Sequence, residues 1–218
     1  MPKARLFISL GLAALISSQA MAQAPAKRPA IANQSLSGQD RALVDQASAY
    51  LEGLGQAKGR FVQTDPRGSQ TRGDLYMQRP GKMRFAYDPP QGLLVVSDGY
   101  NVSVADSRLK TFEKYPLGAT PLALLLARQV SLDKGVVIDQ VNRSADGFSI
   151  TAHDGRKRAE GRIRLVFSTA PLALKSWTVT DAQGQSTRID ISELKSVTGL
   201  SASLFQLKDP RILPPTRR

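Results

Sequence analysis

Few residues in this 218-residue chain have the type and spacing to do covalent chemistry. The single imidazole, His153, stands beside Asp154 and Gly155, a turn-forming pair. That context predicts an exposed histidine at a strand end rather than a general base in an apolar pocket. The chain has no cysteine, which excludes disulfide frameworks, thiol nucleophiles, zinc fingers and iron–sulfur sites. Neither GxSxG nor HExxH occurs, and no cluster of metal-ligating residues stands out. Asp74 and Asp88 are the best candidates for a carboxylate pair, yet most aspartates fall in turns where they cap backbone N–H groups. The expectation is a protein that is not an enzyme and that calls for no cofactor or metal.

What remains is recognition. The 30 Lys+Arg exceed the 18 Asp+Glu, giving a formal net charge of +12. Arg156-Lys157-Arg158, with Arg162 and Arg164 nearby, reads either as a docking patch or as a solvated hairpin whose charges guard a sheet edge. Nucleic acid is not expected as a partner, because no RNP, helix-turn-helix or glycine-rich phosphate motif accompanies the charge. Anionic lipid or an acidic partner suits it better. At the N-terminus, Lys3 and Arg5 precede an apolar run over residues 6–16 and the small residues Ala20-Met21-Ala22. Residues 1–22 therefore read as a cleaved secretory signal, too short in its apolar part to span a bilayer, and they direct the mature chain to the periplasm. No cysteine follows the cleavage site to carry a lipid anchor.

The elements that must position any site follow from periodicity. Residues 23–37 are polar, with Pro and Ala, and read as a flexible leader; residues 38–213 read as one domain and 214–218 as a basic tail. Leu43, Ala47, Tyr50, Leu51 and Leu54 share one helical face, which Gly53 and Gly55 end. From Gly59 the period becomes two. Strands are expected over 59–64, 71–78, 82–87, 92–97, 100–105, 109–115, 135–142, 147–153, 161–168, 172–180 and 185–194, separated by turn residues. The hairpin signals are strongest at Asp98-Gly99 and Asp146-Gly147. This pattern implies one antiparallel sheet curling into a barrel or sandwich, mainly β with a few helices.

One helix interrupts the meander. Thr120-Pro121 reads as an N-cap and first-turn pair before Leu122, Leu124, Leu125 and Leu126, a helix too short to be stable alone and apolar on nearly all sides. It must lie against an apolar surface. Near the C-terminus, Phe205, Leu207, Ile212 and Leu213 are expected to add a last strand or to wrap the sheet.

The segment Gln78-Arg79-Pro80-Gly81-Lys82-Met83-Arg84-Phe85 is more specific. It lies between Phe61-Val62-Gln63 with Gly73-Asp74-Leu75-Tyr76 before it and Ser97-Asp98-Gly99 with Thr120-Pro121-Leu122-Ala123-Leu124-Leu125 after it. Over roughly residues 40–205 this order resembles the periplasmic lipoprotein carrier family, the LolA proteins. The resemblance implies an unclosed antiparallel β-barrel of about eleven strands with helices covering an apolar cavity. It implies a monomeric carrier that takes acylated lipoproteins from an inner-membrane ABC exporter and delivers them to an outer-membrane acceptor or to the outer membrane itself.

By residue, the resemblance implies that Arg79 latches the lid through hydrogen bonds to backbone carbonyls. Met83 and Phe85 match cavity-lining aromatic positions, and Leu122 and Leu125 match apolar lid positions. Leu94, Val96, Trp177, Ile189 and Ile191 complete the expected acyl-chain cavity. A periplasmic binding protein for free lipid or glycolipid would need the same cavity without a protein cargo.

Overall fold

The computed structural model describes residues 36–127, 136–155 and 161–209. Among the described residues there are two α-helices, α1 (Gly38–Gly53) and α2 (Leu122–Leu126). The strands are β1 (Gln56–Thr64), β2 (Gln70–Gln78), β3 (Lys82–Tyr87), β4 (Leu93–Asp98), β5 (Asn101–Asp106), β6 (Thr111–Pro116), β7 (Val136–Ser144), β8 (Gly147–Asp154), β9 (Arg162–Thr169), β10 (Leu172–Thr180) and β11 (Ser186–Ser196). All eleven expected strands are there, with ends displaced by three residues at most. The expected signal, most of the leader and the basic tail lie outside the described residues, as do Ile212 and Leu213.

The strands form one antiparallel sheet in the order β6-β5-β4-β3-β2-β1-β11-β10-β9-β8-β7. Two meanders, β1 to β6 and β7 to β11, are joined by the pairing of β1 with β11, where Phe61 faces Ile191 and Gln63 faces Ile189. The sheet is not closed, since β6 and β7 end it on either side. Register shifts at Lys58/Arg60, Leu174/Ser176 and Ile138/Gln140 mark bulges, which bend the strands and deepen the curl.

Alternation along each strand sends one set of side chains to the concave face. Phe61, Leu75, Met77, Met83, Phe85, Phe148, Ile150, Ile163, Leu165, Phe167, Trp177, Ile189 and Ile191 form one buried cluster there. The aromatic rings meet edge to face: Phe61 lies 5.0 Å from both Phe85 and Tyr87, and Phe85 lies 6.1 Å from Trp177. Helix α1 joins this cluster through Val44, Ala47 and Leu51, with Leu54 just beyond its end. Its N-cap is Ser37, whose hydroxyl accepts from the Asp40 N–H, and Asp40 also favours the positive end of the helix.

The C-terminal segment wraps the outside of the sheet instead of adding a strand. Val197 N–H bonds to the Gln56 carbonyl, Leu200 N–H bonds to Gln56 Oε1, and Arg84 Nη1 donates to the Leu204 carbonyl at 3.0 Å. The 3-10 helix Ala202–Phe205 then packs on β3 and β4 and buries Phe205.

Gly147 closes the expected Asp146-Gly147 turn and, as expected, begins β8. A Cβ built there would lie 2.0 Å from the Phe167 carbonyl oxygen, so the approach of β9 demands glycine. Gly147→Ala is expected to destabilise the fold by about 1–3 kcal/mol through this clash. Urea unfolding, followed by the emission of the single tryptophan, Trp177, checks it.

Candidate functional site

The crossover from β6 to β7 carries α2 over the concave face. Pro116 leads into a 3-10 turn, Leu117–Ala119, and then into α2. Thr120 does not cap this helix: its hydroxyl donates to the Leu117 carbonyl at 2.8 Å, and Pro121 occupies the cap position without a side-chain bond. With five residues and no cap, α2 depends on burial, and Leu125 and Leu126 are completely enclosed in the cluster of the concave face. Two such side chains contribute about 1.5–3 kcal/mol each. Leu122, Ala123 and Leu124 pack against the same cluster while remaining partly exposed. On its other side the crossover faces the base of the β8–β9 hairpin, leaving a cleft of about 20 Å³ between Thr120, Pro121, Leu124, Asp154 and Gly161.

Two hydrogen bonds tie the end of α2 to the β2–β3 turn. Arg79 Nη2 donates to the Ala127 carbonyl at 2.5 Å, and Gly81 N–H donates to the Leu126 carbonyl at 2.9 Å. The turn itself is held in place. Arg79 N–H bonds to the Gly55 carbonyl, Ser97 Oγ donates to the Gly81 carbonyl at 2.6 Å, and a Cβ on Gly81 would come within 2.7 Å of Gly99 Cα. Nothing in the sequence singles out the Gly81–Leu126 bond, because it runs between backbone atoms far apart in the chain.

The guanidinium of Arg79 is only partly satisfied. Its Nε and Nη1 are buried without a hydrogen-bond partner among the described residues, and so is Gln78 Oε1. Burial pushes the Arg79 pKa down, and the charge of Glu52 on α1 opposes that shift. A buried donor left unpaired costs about 1–3 kcal/mol, so the closed arrangement carries its own penalty.

The expected cavity residues divide between two faces. Met83, Phe85, Leu125, Trp177, Ile189 and Ile191 meet in the buried cluster, and Leu122 packs on it. Leu94 and Val96 do not join them. Pairing places Met83 opposite Ser97 and Phe85 opposite Val95, whereas Val96 lies opposite Arg84 and Leu94 opposite Ala86, on the convex face. A shift of one residue along a strand reverses the face, and the run Leu93-Leu94-Val95-Val96 is apolar at every position, so no alternation marks the register. Val96 is nevertheless 1% exposed, because the C-terminal 3-10 helix covers that part of the convex face.

The residues weighed for catalysis are engaged in structural contacts. Asp74 and Asp88 both bind Arg60, which donates through Nη1 to Asp74 Oδ1 at 2.8 Å and forks onto Asp88. The hydrogen bond from Arg60 holds the Asp88 carboxyl below the ordinary carboxylate range. His153 is not an exposed strand-end residue. Its side chain is 7% exposed and its Nδ1 lies 3.0 Å from the Asp139 carboxylate. The bulge at Ile138/Gln140 places Asp139 where it reaches across to β8, which no local signal announces. Arg162 and Arg164 are exposed on β9, while Arg156, Lys157 and Arg158 lie outside the described residues.

A family model described as "Outer membrane lipoprotein carrier protein LolA" matches residues 52–208. The chain belongs to the LolA family. Among its LolA relatives, an outer-membrane lipoprotein carrier protein of Pseudomonas syringae pv. tomato is 31% identical over 187 residues, spanning 77% of this chain and 84% of that protein. One of Legionella pneumophila strain Corby is 28% identical over 174 residues, covering 77% and 81% respectively. A solved LolA-superfamily protein from Nitrosomonas europaea is similar at 8% identity and a TM-score of 0.41, covering 73% of this chain and 97% of that one.

The assignment of faces is directly testable in this LolA-family chain, since it contains no native cysteine. Leu94→Cys, on the half-buried convex face, is expected to react with a maleimide about tenfold or more faster than Met83→Cys, which is enclosed in the concave cluster and needs a local opening to react. Stopped-time labelling read by mass spectrometry measures both rates.

Proposed function

We propose that this protein is a periplasmic carrier that shields the acyl chains of lipoproteins and conveys them from the inner to the outer membrane. The reading rests on one observation: a continuous apolar concave face is roofed by a short helix whose end is tied down by the Arg79–Ala127 and Gly81–Leu126 bonds. A sixteen-carbon chain leaving a bilayer forfeits on the order of 12 kcal/mol unless an apolar interior replaces the lipid. Displacing Leu122, Leu125 and the neighbouring crossover would uncover Met83, Phe85, Trp177, Ile189 and Ile191, which lie beneath them in the same cluster.

Direction then follows from the balance of the two states. The closed state fills the interior with the protein's own side chains, so cargo must displace them on loading and is pushed out on closure. An inner-membrane ABC exporter would supply energy at loading, and an outer-membrane acceptor with a greater affinity for acyl chains would take the cargo. No step of this cycle asks the chain itself to break a bond. The Arg79 latch adds about 1.5–3 kcal/mol to the opening cost, the range for a charge-assisted hydrogen bond, beside the packing of Leu125 and Leu126.

Arg79→Leu is therefore expected to load lipoprotein as well as the parent chain and to hand it on about tenfold or more slowly, because closure no longer competes effectively with cargo. Transfer from the loaded variant to acceptor-bearing membranes measures this; hand-over at the parental rate would remove the latch from the mechanism. Native mass spectrometry of the protein taken from its own periplasm identifies the cargo. A co-travelling acylated polypeptide is the expected result, and free lipid without polypeptide would favour a lipid-binding protein instead.

A further inference from the structure

Among the described residues the exposed large apolar side chains are Tyr100, 84% exposed, and Leu109, 54% exposed. They sit at opposite ends of β5, in the β4–β5 and β5–β6 turns. Their surroundings differ. Tyr100 follows Asp98 and Gly99, whereas Leu109 stands between Arg108 and Lys110 at the tip of its hairpin.

That tip is rigid. Asp106 Oδ1 accepts from the N–H groups of Arg108 and Leu109 at 2.8 and 2.9 Å, and Lys110 adopts φ 54°. Ser107 N–H bonds to the Gly92 carbonyl, and Arg108 Nη1 donates to the Pro90 carbonyl at 3.1 Å, which staples this hairpin to the β3–β4 turn beside it. These bonds present Leu109 to solvent, 54% exposed and away from the core.

The charges at this end are sorted by geometry. The turns β1–β2, β3–β4 and β5–β6 lie side by side along one end of the sheet. Their carboxylates are engaged with the protein: Asp65 accepts from the N–H groups of Arg67 and Ser69, Asp88 binds Arg60, and Asp106 caps its own turn. Arg67, Arg108 and Lys110 are exposed. Immediately behind the tip, Leu94, Ala105 and Phe112 lie opposite one another on the convex face, half-buried. An apolar point with an apolar strip behind it and cations around it has the chemistry of a surface that meets anionic headgroups while inserting a side chain.

We propose that the β5–β6 hairpin tip is a membrane-contact element that seats Leu109 among the headgroups of an anionic bilayer, with Arg108 and Lys110 on the phosphates. This goes beyond the carrier reading and does not depend on what occupies the interior. Its test uses the purified protein with phosphatidylcholine vesicles prepared with and without phosphatidylglycerol, read by flotation. Binding is expected only with the anionic lipid.

Leu109→Ser should weaken that binding about five- to tenfold through loss of one inserted side chain. Lys110→Asn should weaken it about fivefold through loss of one cation, while keeping a residue that tolerates the left-handed backbone. Tyr100→Ser, at the opposite end, should leave it unchanged. Leu109→Cys carrying an environment-sensitive fluorophore should shift to the blue on the same vesicles. Parental binding by Leu109→Ser, an equal loss in Tyr100→Ser, or a fluorophore that stays in water would each overturn the proposal. Absence of vesicle binding by the parent chain would overturn it too, and would point to an acidic protein partner for the same cations.

Discussion

The pairing of β1 with β11 is the constraint on which the rest of the structure depends. It joins residues more than a hundred positions apart and turns two meanders into one sheet. Each meander alone would be a ribbon with one apolar face open to water. Joined, they set Phe61 opposite Ile191, and the rings of Tyr87, Phe61, Phe85 and Trp177 run from one meander to the other. Loop-closure entropy opposes such a distant contact but grows only slowly with length, and burial of both apolar faces offsets it.

Once the sheet curls, its concave face needs a cover, and the cover is built from weak parts. Helix α2 has five residues and no side-chain cap, so packing of Leu125 and Leu126 holds it, with two hydrogen bonds at its end. Those bonds come from a turn that Ser97 and Gly99 position, so the strength of the closure is decided one layer away from the helix. Arg79 brings an unbalanced account of its own, because part of its guanidinium is buried without partners. In the carrier function proposed above, a roof assembled in this way would be lifted without unfolding the sheet below it.

The convex face shows why burial alone does not identify an interior. Val96 and Phe205 are both 1% exposed, yet they meet outside the sheet, beneath the returning C-terminal segment. Arg84 fixes that segment through the Leu204 carbonyl, so a charged residue between the buried Met83 and Phe85 serves the opposite surface. Asp65, Asp88 and Asp106, at the turns of the β5–β6 end, are similarly absorbed by turns and an ion pair, beside the exposed cations Arg67, Arg108 and Lys110.

Strand number, the two helices among the described residues and the apolar character of α2 were determined by the sequence alone, because period-two alternation, turn residues and a leucine run are local properties; attention to Arg79 came from the family resemblance. Six residues assigned to the cavity by alternation or resemblance, from Met83 to Ile191, do share the concave cluster. Tertiary structure decided the rest. The face taken by Leu94 and Val96 depends on strand register, which an unbroken apolar run cannot specify. The burial of His153 depends on a bulge in a neighbouring strand, and the role of Gly147 depends on how closely β9 approaches. The carbonyls that Arg79 and Gly81 reach belong to a segment more than forty residues away. Each of these is a relation between distant parts of the chain, set by which backbone lies beside which after folding, and no local pattern encodes it.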